Sequence, residues 1–257
     1  MSGARPQRLV FGEVAAQYER HRPGYPDALY DLLVGDGSVE DVLDVGTGTG
    51  RAAVALAERG LRGIGVEPSV EMAAIARTNL PDTWTIETTD FEACRAGDRS
   101  DWPLITCAQA WHWIDHDRGL AKAAALLRPG GVLALFWNRP AFVQDDLRGA
   151  LDEIYDRLAP DMQSSLRGRG TGPKGQLPGV ELGRPPTGFT AVRRDELGWE
   201  RTYTSDQWIG LLETQSDHRL LEPDHRAELH GAVRDAIDER GGQFTLPYRV
   251  EVLRFFA

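Results

Sequence analysis

The sequence LDVGTGTG occupies residues 43–50, between a short apolar run and an amphipathic segment. The run DVLDVG at 41–46 ends on glycine, which is typical of a buried strand. The segment RAAVALAERG at 51–60 has apolar residues at helical spacing. Glycines at a strand-to-helix junction permit a tight turn and close approach of the backbone to a ligand, toward which the first helix amides point. This stretch therefore predicts a site for a nucleotide-like cofactor.

Strands and helices alternate along the chain up to residue 138. Further strands are predicted at 61–67, 84–90, 103–110 and 132–138, and further helices at 9–20, 68–80 and 115–131. Strict alternation indicates parallel strands joined by right-handed crossovers, and uniformly apolar strands indicate that both faces of the sheet are covered. The later part of the chain predicts helices at 142–158, 205–221 and 223–240, a strand at 199–204 and a terminal strand at 244–256. The alternating pattern of that terminal strand suits an edge or antiparallel position.

Composition excludes several classes of protein. The 257 residues suit one large domain, or a domain with a small cap, and the net charge of −10 argues against a nucleic acid partner. The two cysteines, Cys94 and Cys107, form no metal-ligand spacing, so we expect neither a disulfide framework nor a metal. The chain shows neither a signal peptide nor a run of 18 apolar residues, which predicts a cytoplasmic protein without a membrane partner.

Two acidic residues narrow the identity of the cofactor. Glu67 ends the second predicted strand, 21 residues after Gly46, where a carboxylate accepts hydrogen bonds from ribose hydroxyls. The glycine spacing is G-x-G-x-G rather than the G-x-G-x-x-G of dinucleotide sites. Asp44 lies at the end of the first strand, where it would repel a pyrophosphate. S-adenosylmethionine, which carries a sulfonium and an ammonium but no phosphate, suits these residues better.

At these residues the sequence resembles the class I S-adenosylmethionine-dependent methyltransferases, in their small-molecule, methyltransferase-type-11-like branch. The resemblance covers residues 8–138. Its motifs are FGEVAAQYERHRPGYP at 11–26, LDVGTGTG at 43–50, GVEPS at 65–69, TTDFE at 88–92, CAQAWHW at 107–113 and LRPGG at 127–131. It implies a Rossmann-like, doubly wound α/β fold. The expected sheet is seven-stranded and mostly parallel, with an antiparallel terminal strand, an N-terminal lid and a cap insertion after the fifth strand.

The resemblance also implies a division of the chain and a set of cofactor contacts. The implied segments are lid helices at 1–34, a cofactor-binding core at 35–138, a cap and substrate region at 139–243 and the last core strand at 244–257. Contacts at the methionine end would come from Tyr18, Arg22, Asp44, Gly46, Thr47, Gly48, Gln109 and Ala110. Contacts at the adenosine end would come from Glu67, Pro68, Ser69, Asp90 and Phe91. Arg22 would pair with the carboxylate of the cofactor as a fork.

Aromatic residues after the fourth predicted strand admit two interpretations. In the functional one, Trp111 and Trp113 form a wall for the cofactor and the acceptor, and His112 is a candidate catalytic base. In the other, both tryptophans pack against the adjoining helix. Trp137 and Trp199 would join Trp113 in the substrate pocket. These side chains favour a flat aromatic or heterocyclic acceptor.

The leading hypothesis is an enzyme that transfers a methyl group to a nitrogen, oxygen or carbon of a small molecule, acting as a monomer or homodimer. A second is a non-catalytic cofactor-binding module or sensor with the same fold. A nicotinamide dehydrogenase is disfavoured by the glycine spacing. The stretch 168–188 holds seven glycines and four prolines, which is compatible with a lid over the site or with a passive surface loop.

Overall fold

The computed structural model describes residues 20–35, 37–141, 146–162 and 183–257. Its centre is a seven-stranded sheet in the order β3-β2-β1-β4-β5-β7-β6. The strands are β1 (Asp41–Val45), β2 (Arg62–Val66), β3 (Trp84–Glu87), β4 (Trp102–Ala108), β5 (Leu127–Pro140), β6 (Ala191–Thr204) and β7 (Gln243–Phe256). Strands β1 to β5 pair in parallel, whereas β7 is antiparallel to both β5 and β6. The predicted Rossmann-like, mostly parallel sheet with an antiparallel terminal strand is therefore confirmed.

The helices lie between the strands in the alternation that the sequence predicts. They are α1 (Asp27–Val34), α2 (Arg51–Ala57), α3 (Val70–Asn79), α4 (His116–Leu126), α5 (Asp146–Leu158), α6 (Ser205–Glu213), α7 (Ser216–Arg219) and α8 (Pro223–Asp238). Side chains satisfy the free amides at several helix starts: the Ser69 hydroxyl caps α3 and the Asp115 carboxylate caps α4. No helix among the described residues has the length and apolar character needed to cross a membrane.

Successive strand residues enter two separate cores, one on each face of the sheet. On one face, Leu43 and Ile105 belong to a cluster that includes Leu120 of α4. On the other face, Val42 and Leu104 belong to a cluster that includes residues of α1, α2 and α3. A third cluster joins α5, α6 and α8 with parts of β6 and β7. This third cluster holds α5, α6 and α8 beside the carboxyl end of β5. We refer to these helices, with the short α7 between α6 and α8, as the cap.

The structure corrects some sequence expectations. The terminal strand β7 lies between β5 and β6, so its antiparallel placement was right and its edge placement was wrong. Pro247 is tolerated because the β5 ladder ends at the Pro140–Tyr248 pair, one residue short of it. The strand predicted at 199–204 begins at 191, since β6 pairs with β7 along its whole length. The helix predicted at 205–221 is broken between α6 and α7.

Other expectations lie outside the described residues. These are the helix at 9–20, Tyr18 with its proposed cofactor contact, residues 142–145 at the start of a predicted helix, and the part of the Gly/Pro-rich stretch before residue 183.

Candidate active site

The turn after β1 brings the backbone of two strand ends into contact. Gly46, Gly48 and Gly50 all have left-handed backbone angles, with φ of 68°, 61° and 90°. A Cβ added to Gly46 would overlap the Cβ of Ala110, which follows β4. A Cβ on Gly48 would meet no atom within 4 Å. Gly46 is therefore required both for its backbone angle and for the close approach of the two loops.

Glu67, at the end of β2, organises this turn with its carboxylate. Its Oε2 accepts a hydrogen bond from the Gly48 amide at 2.9 Å, and its Oε1 accepts one from the Ser69 amide at 2.8 Å. The side chain is buried, and burial raises the pKa of Glu67 against the opposing effect of these amides. A carboxylate has about four acceptor positions, so one on each oxygen remains for another donor.

Asp44 is the buried carboxylate beneath the turn. Its Oδ1 accepts from the Thr106 hydroxyl and its Oδ2 from the Thr47 hydroxyl, both at 2.7 Å. Burial raises the pKa of Asp44 to about 6, while the two hydroxyls act in the opposite direction. Thr47 lines the cavity, and its hydroxyl donates to Asp44, so Thr47 lies between the buried carboxylate and the cavity. The Asp44 carboxylate is therefore one hydrogen bond away from the cavity.

A cavity of about 310 Å³ opens at the carboxyl ends of β1, β4 and β5. It begins at the glycine turn and extends to the cap helices and β7. Its lining residues are Arg22, Pro23, Tyr25, Gly46, Thr47, Gly48, Thr49, Arg51, Ala52, Ala108, Gln109, His112, Trp137, Asn138, Arg139, Pro140, Leu211, Gln215 and Tyr248. Ligands of open α/β sheets bind at this edge, so the cavity is the candidate active site.

Arg22 ties the segment before α1 to the cap. Its Nε donates to the Thr214 hydroxyl at 3.1 Å, and its Nη2 donates to the Thr214 carbonyl at 3.2 Å and to Gln215 Oε1 at 3.3 Å. Thr214 is fully buried at the break between α6 and α7. The break in the predicted helix thus supplies acceptors for Arg22, at the wall of the cavity.

Asn138, at the end of β5, is a functional candidate that the sequence reasoning missed. Its Nδ2 donates to the Gly24 carbonyl at 3.0 Å, its Oδ1 accepts from Trp199 Nε1 at 3.0 Å, and its carbonyl accepts from Gln109 Nε2 at 3.2 Å. Asn138 therefore joins the end of β5 to the segment before α1, to β6 and to the loop after β4, beside the cavity. A polar residue that ends a uniformly apolar strand was the available signal.

Gln109 adopts a backbone conformation that is rare for its residue type. Its φ is 59°, in the left-handed region. The backbone amide donates to the Phe136 carbonyl at 2.9 Å, and the side chain is held by Asn138. Such strain persists where surrounding contacts over-determine it, and it is frequent at ligand sites.

The three aromatic residues after β4 have three different environments. Trp111 is 1% exposed and its ring lies 6.1 Å from that of Phe91, so it packs inside the core. His112 is exposed and lines the cavity, with its ring 4.6 Å from that of Trp113. Trp113 is 40% exposed. Trp111 thus packs against α4 in the core, His112 lines the cavity, and Trp113 is exposed outside the lining of the cavity.

The proposed pocket residues Trp137 and Trp199 have different surroundings. Trp137 is buried and lines the cavity. Trp199 stacks on Tyr248 with ring centroids 5.1 Å apart. Tyr248, which the sequence reasoning also missed, lines the cavity, and its hydroxyl lies 2.7 Å from that of Tyr203. Burial raises the pKa of Tyr248, so its phenol stays protonated.

The remaining predicted adenosine contacts flank the turn after β2 and the loop after β3. Pro68 and Asp90 are half-buried, and Phe91 is buried. Ser69 is buried, and its hydroxyl caps α3. These residues lie next to Glu67 or on the neighbouring strand end, outside the lining of the cavity.

Known proteins with similar sequences are methyltransferases. A family model described as a methyltransferase domain matches residues 42–131. An uncharacterized methyltransferase from Mycobacterium tuberculosis is 34% identical over 212 residues, which cover 82% of this chain and 79% of that protein. An uncharacterized methyltransferase from Schizosaccharomyces pombe is 24% identical, with 86% of this chain and 84% of that protein covered.

Solved structures share the fold. A presumed type II methyltransferase from Anaeromyxobacter dehalogenans matches with a TM-score of 0.63 and 24% identity over 91% of this chain and 97% of that one. A phosphoethanolamine N-methyltransferase from Haemonchus contortus matches with a TM-score of 0.51 and 13% identity over 98% of this chain and 60% of that one. The fold, the glycine turn and the sequence relatives agree, and this chain belongs to the class I S-adenosylmethionine-dependent methyltransferases.

Proposed function

We propose that this protein transfers the methyl group of S-adenosylmethionine to a small molecule held in the cavity. The observation that carries the proposal is the pairing of the Glu67 carboxylate with the amide of Gly48, a residue that lines the cavity; this hydrogen bond joins the ends of β1 and β2. This arrangement leaves acceptor positions on Glu67 for ribose hydroxyls. The Haemonchus contortus structure was solved with S-adenosylhomocysteine, which supports the choice of cofactor.

Residues in the loops after β1, β2, β3 and β4 would contact the two ends of the cofactor. Glu67 would hold the ribose, with Pro68 and Ser69 beside the adenosine. Asp90 would accept from the adenine amino group, and the Phe91 amide would donate to a ring nitrogen. At the other end, the negative charge of Asp44 would favour the ammonium through Thr47. Gln109 and Ala110 would offer backbone groups there.

Arg22 would serve both the cofactor and the cap. It lines the cavity, where a guanidinium favours the carboxylate of the cofactor, and it already binds Thr214 and Gln215. Binding of the cofactor would therefore strengthen the connection between the segment before α1 and the cap. A tighter connection would help to exclude water from the reacting methyl group.

The chemistry makes modest demands on the protein. The sulfonium of the cofactor supplies a methyl group already activated for in-line displacement. The chain supplies proximity and alignment, which are worth up to about 7–11 kcal/mol. Trp137 and Tyr248 would align the acceptor, and His112 at the cavity wall would accept a proton from an acceptor that must lose one.

Thermal unfolding with candidate cofactors tests the proposal. S-adenosylmethionine or S-adenosylhomocysteine at about 100 times its Kd should add about 2.7 kcal/mol to the stability, and NAD should add nothing. Release of S-adenosylhomocysteine in the presence of an acceptor would separate an enzyme from a non-catalytic module. Stabilisation by NAD alone would contradict the proposal.

The pKa of Asp44 predicts that cofactor binding depends on pH. The proximity of an ammonium favours the ionised carboxylate, so below pH 6 binding must release a proton. Affinity for S-adenosylhomocysteine should therefore fall as pH falls from 7 to 5, by up to about tenfold per unit below pH 6. Calorimetry over this range measures the effect.

Asp44→Asn is the control for this pH dependence. The variant should bind more weakly and lose most of the dependence between pH 5 and 7. Any dependence that remains belongs to Glu67, the other buried carboxylate of the turn, whose pKa is also raised. An unchanged pH profile in Asp44→Asn would remove Asp44 from the ammonium site.

His112→Ala should lower turnover without weakening cofactor binding. Loss of a general base reduces the rate by about 10²–10⁴-fold, because the proton then has no positioned acceptor. Turnover is measured as release of S-adenosylhomocysteine with the first acceptor found, and affinity for S-adenosylhomocysteine should stay within a few-fold. A decrease in turnover smaller than about tenfold would assign His112 to the wall rather than to proton transfer.

A further inference from the structure

The segment before α1, residues 20–26, connects the cap to the sheet at the wall of the cavity. Arg22 binds the cap at Thr214, and the Gly24 carbonyl accepts a hydrogen bond from Asn138 of β5. The residues of this segment that line the cavity are Arg22, Pro23 and Tyr25. The position of the segment therefore decides the shape of one cavity wall.

A glycine in α6 receives the side chain that precedes Arg22. A Cβ added to Gly210 would overlap three atoms of the His21 ring, Cε1, Nδ1 and Nε2. Gly210 is buried in the interior of α6, where alanine would be favoured over glycine if the space beside the helix were empty. That space is a notch in the surface of α6, and the imidazole of His21 fills it.

His21 and Arg22 engage the same face of α6. Gly210 and Thr214 are four positions apart, which is about one helical turn, so the notch lies beside the acceptors of the Arg22 guanidinium. Two consecutive residues of the segment thus contact successive turns of one helix. With the ring in the notch, the segment is held against α6 directly before the point where it enters the cavity wall.

The ring occupies the notch in its neutral form. Burial lowers the pKa of His21, and the charges of Arg20 and of Arg201 on β6 lower it further, against the opposite effect of Glu213 on α6. A neutral imidazole packs against a helix without a counter-ion. Its docking therefore depends on the fit of the ring to Gly210 rather than on an ion pair.

We propose that His21 is a positioning residue for the cofactor site, because its ring, seated on Gly210, sets the place of Arg22 and Pro23 in the cavity wall. This proposal rests on the proposed function and adds a residue that acts through its neighbours, since His21 is not among the described lining residues. When the ring leaves the notch, the segment loses one of its contacts with the cap. The docked conformation is then less populated, and the apparent affinity for the cofactor falls in proportion to the docked fraction.

Gly210→Ala tests this role. The added methyl group displaces the ring, which is the free end of a flexible side chain, so α6 should stay folded and the protein should unfold at an unchanged or higher temperature. Affinity for S-adenosylhomocysteine should fall about tenfold, which corresponds to about one docked molecule in ten. Calorimetry measures the affinity, and thermal unfolding measures the stability. A contact that served stability alone would lower the unfolding temperature and leave the affinity unchanged.

Gly231→Ala is the matched control. Gly231 lies inside α8 of the same cap, and a Cβ added there would meet no atom within 4 Å. The variant makes the same chemical change in a cap helix without displacing His21. Its affinity for S-adenosylhomocysteine should stay within about twofold of that of the unmodified protein.

His21→Ala completes a double-mutant cycle with Gly210→Ala. It removes the ring and should lower the affinity as much as Gly210→Ala does. In the double variant, the added methyl group occupies the space that the ring has left, so the second substitution should cause no further loss. This non-additivity would identify the ring as the group through which Gly210 affects binding.

Three results would overturn the proposal: unchanged affinity in Gly210→Ala or in His21→Ala, an equal loss in Gly231→Ala, or losses that add in the double variant. If Gly210→Ala did not fold, His21→Ala would decide the question, because it leaves α6 intact. A failure of the proposed function is distinguishable from these results. It would appear as a lack of S-adenosylhomocysteine binding in the unmodified protein.

Discussion

Replacement of Glu67 by alanine should weaken the binding of S-adenosylhomocysteine about 10- to 100-fold while the protein stays folded. The variant loses the charge-assisted hydrogen bonds that Glu67 would make to the ribose. It also loses the acceptors for the Gly48 and Ser69 amides, so the turn is no longer held in its binding conformation. Calorimetry measures the affinity, and circular dichroism establishes that the sheet is intact.

Glu87→Ala is the control for the loss of amide acceptors alone. Glu87 ends β3, and its carboxylate accepts hydrogen bonds from the Arg95 and Gly97 amides at 2.8 and 3.0 Å. This variant removes an equivalent pair of contacts from the neighbouring strand end and should change cofactor affinity less than about threefold. Equal losses in the two variants, or unchanged affinity in Glu67→Ala, would contradict the ribose assignment.

Gly46→Ala should destabilise the protein by about 2–5 kcal/mol. The backbone at Gly46 has a φ of 68°, which is strained for alanine, and the added methyl group overlaps the Cβ of Ala110. The contact is between a β1 loop and a β4 loop, so relief requires the two strand ends to separate. Chemical denaturation measures the change in the free energy of unfolding.

Gly48→Ala separates backbone strain from overlap. Gly48 has a φ of 61°, but its added Cβ meets no atom within 4 Å. It should lose only about 1–2 kcal/mol, the cost of the left-handed conformation. If both variants lost the same stability, the close approach of Gly46 and Ala110 would have no energetic consequence.

The prediction from sequence succeeded where neighbouring residues decide the structure. An apolar run that ends on glycine marked β1, and the alternation of strands and helices indicated the parallel part of the sheet. It failed for the start of β6, whose charged segment 191–198 lies on the edge strand and lacks an apolar pattern. It also failed at Thr214, since the helix there ends where a distant arginine takes up the buried carbonyl.

In the candidate site too, residues fixed by local pattern were predicted and residues fixed by distant contacts were not. The glycine turn, Glu67 and Asp44 are close in sequence or at corresponding strand ends, so the pattern alone identified them. Asn138 was missed, although it ends an apolar strand, because its significance depends on Trp199, 61 residues away in β6, and on Gly24, 114 residues away.

The sequence by itself determined the order of strands and helices, the glycine turn and the acidic residue beside it, because each depends on backbone geometry and local hydrophobic pattern. The tertiary structure decided what surrounds the cavity. Arg22 meets Thr214 across 192 positions, and Asn138 meets Gly24 across 114. Three arginines distributed along the chain line one space only after folding. Such contacts follow from the packing of the cap against the carboxyl edge of the sheet, which no local pattern encodes.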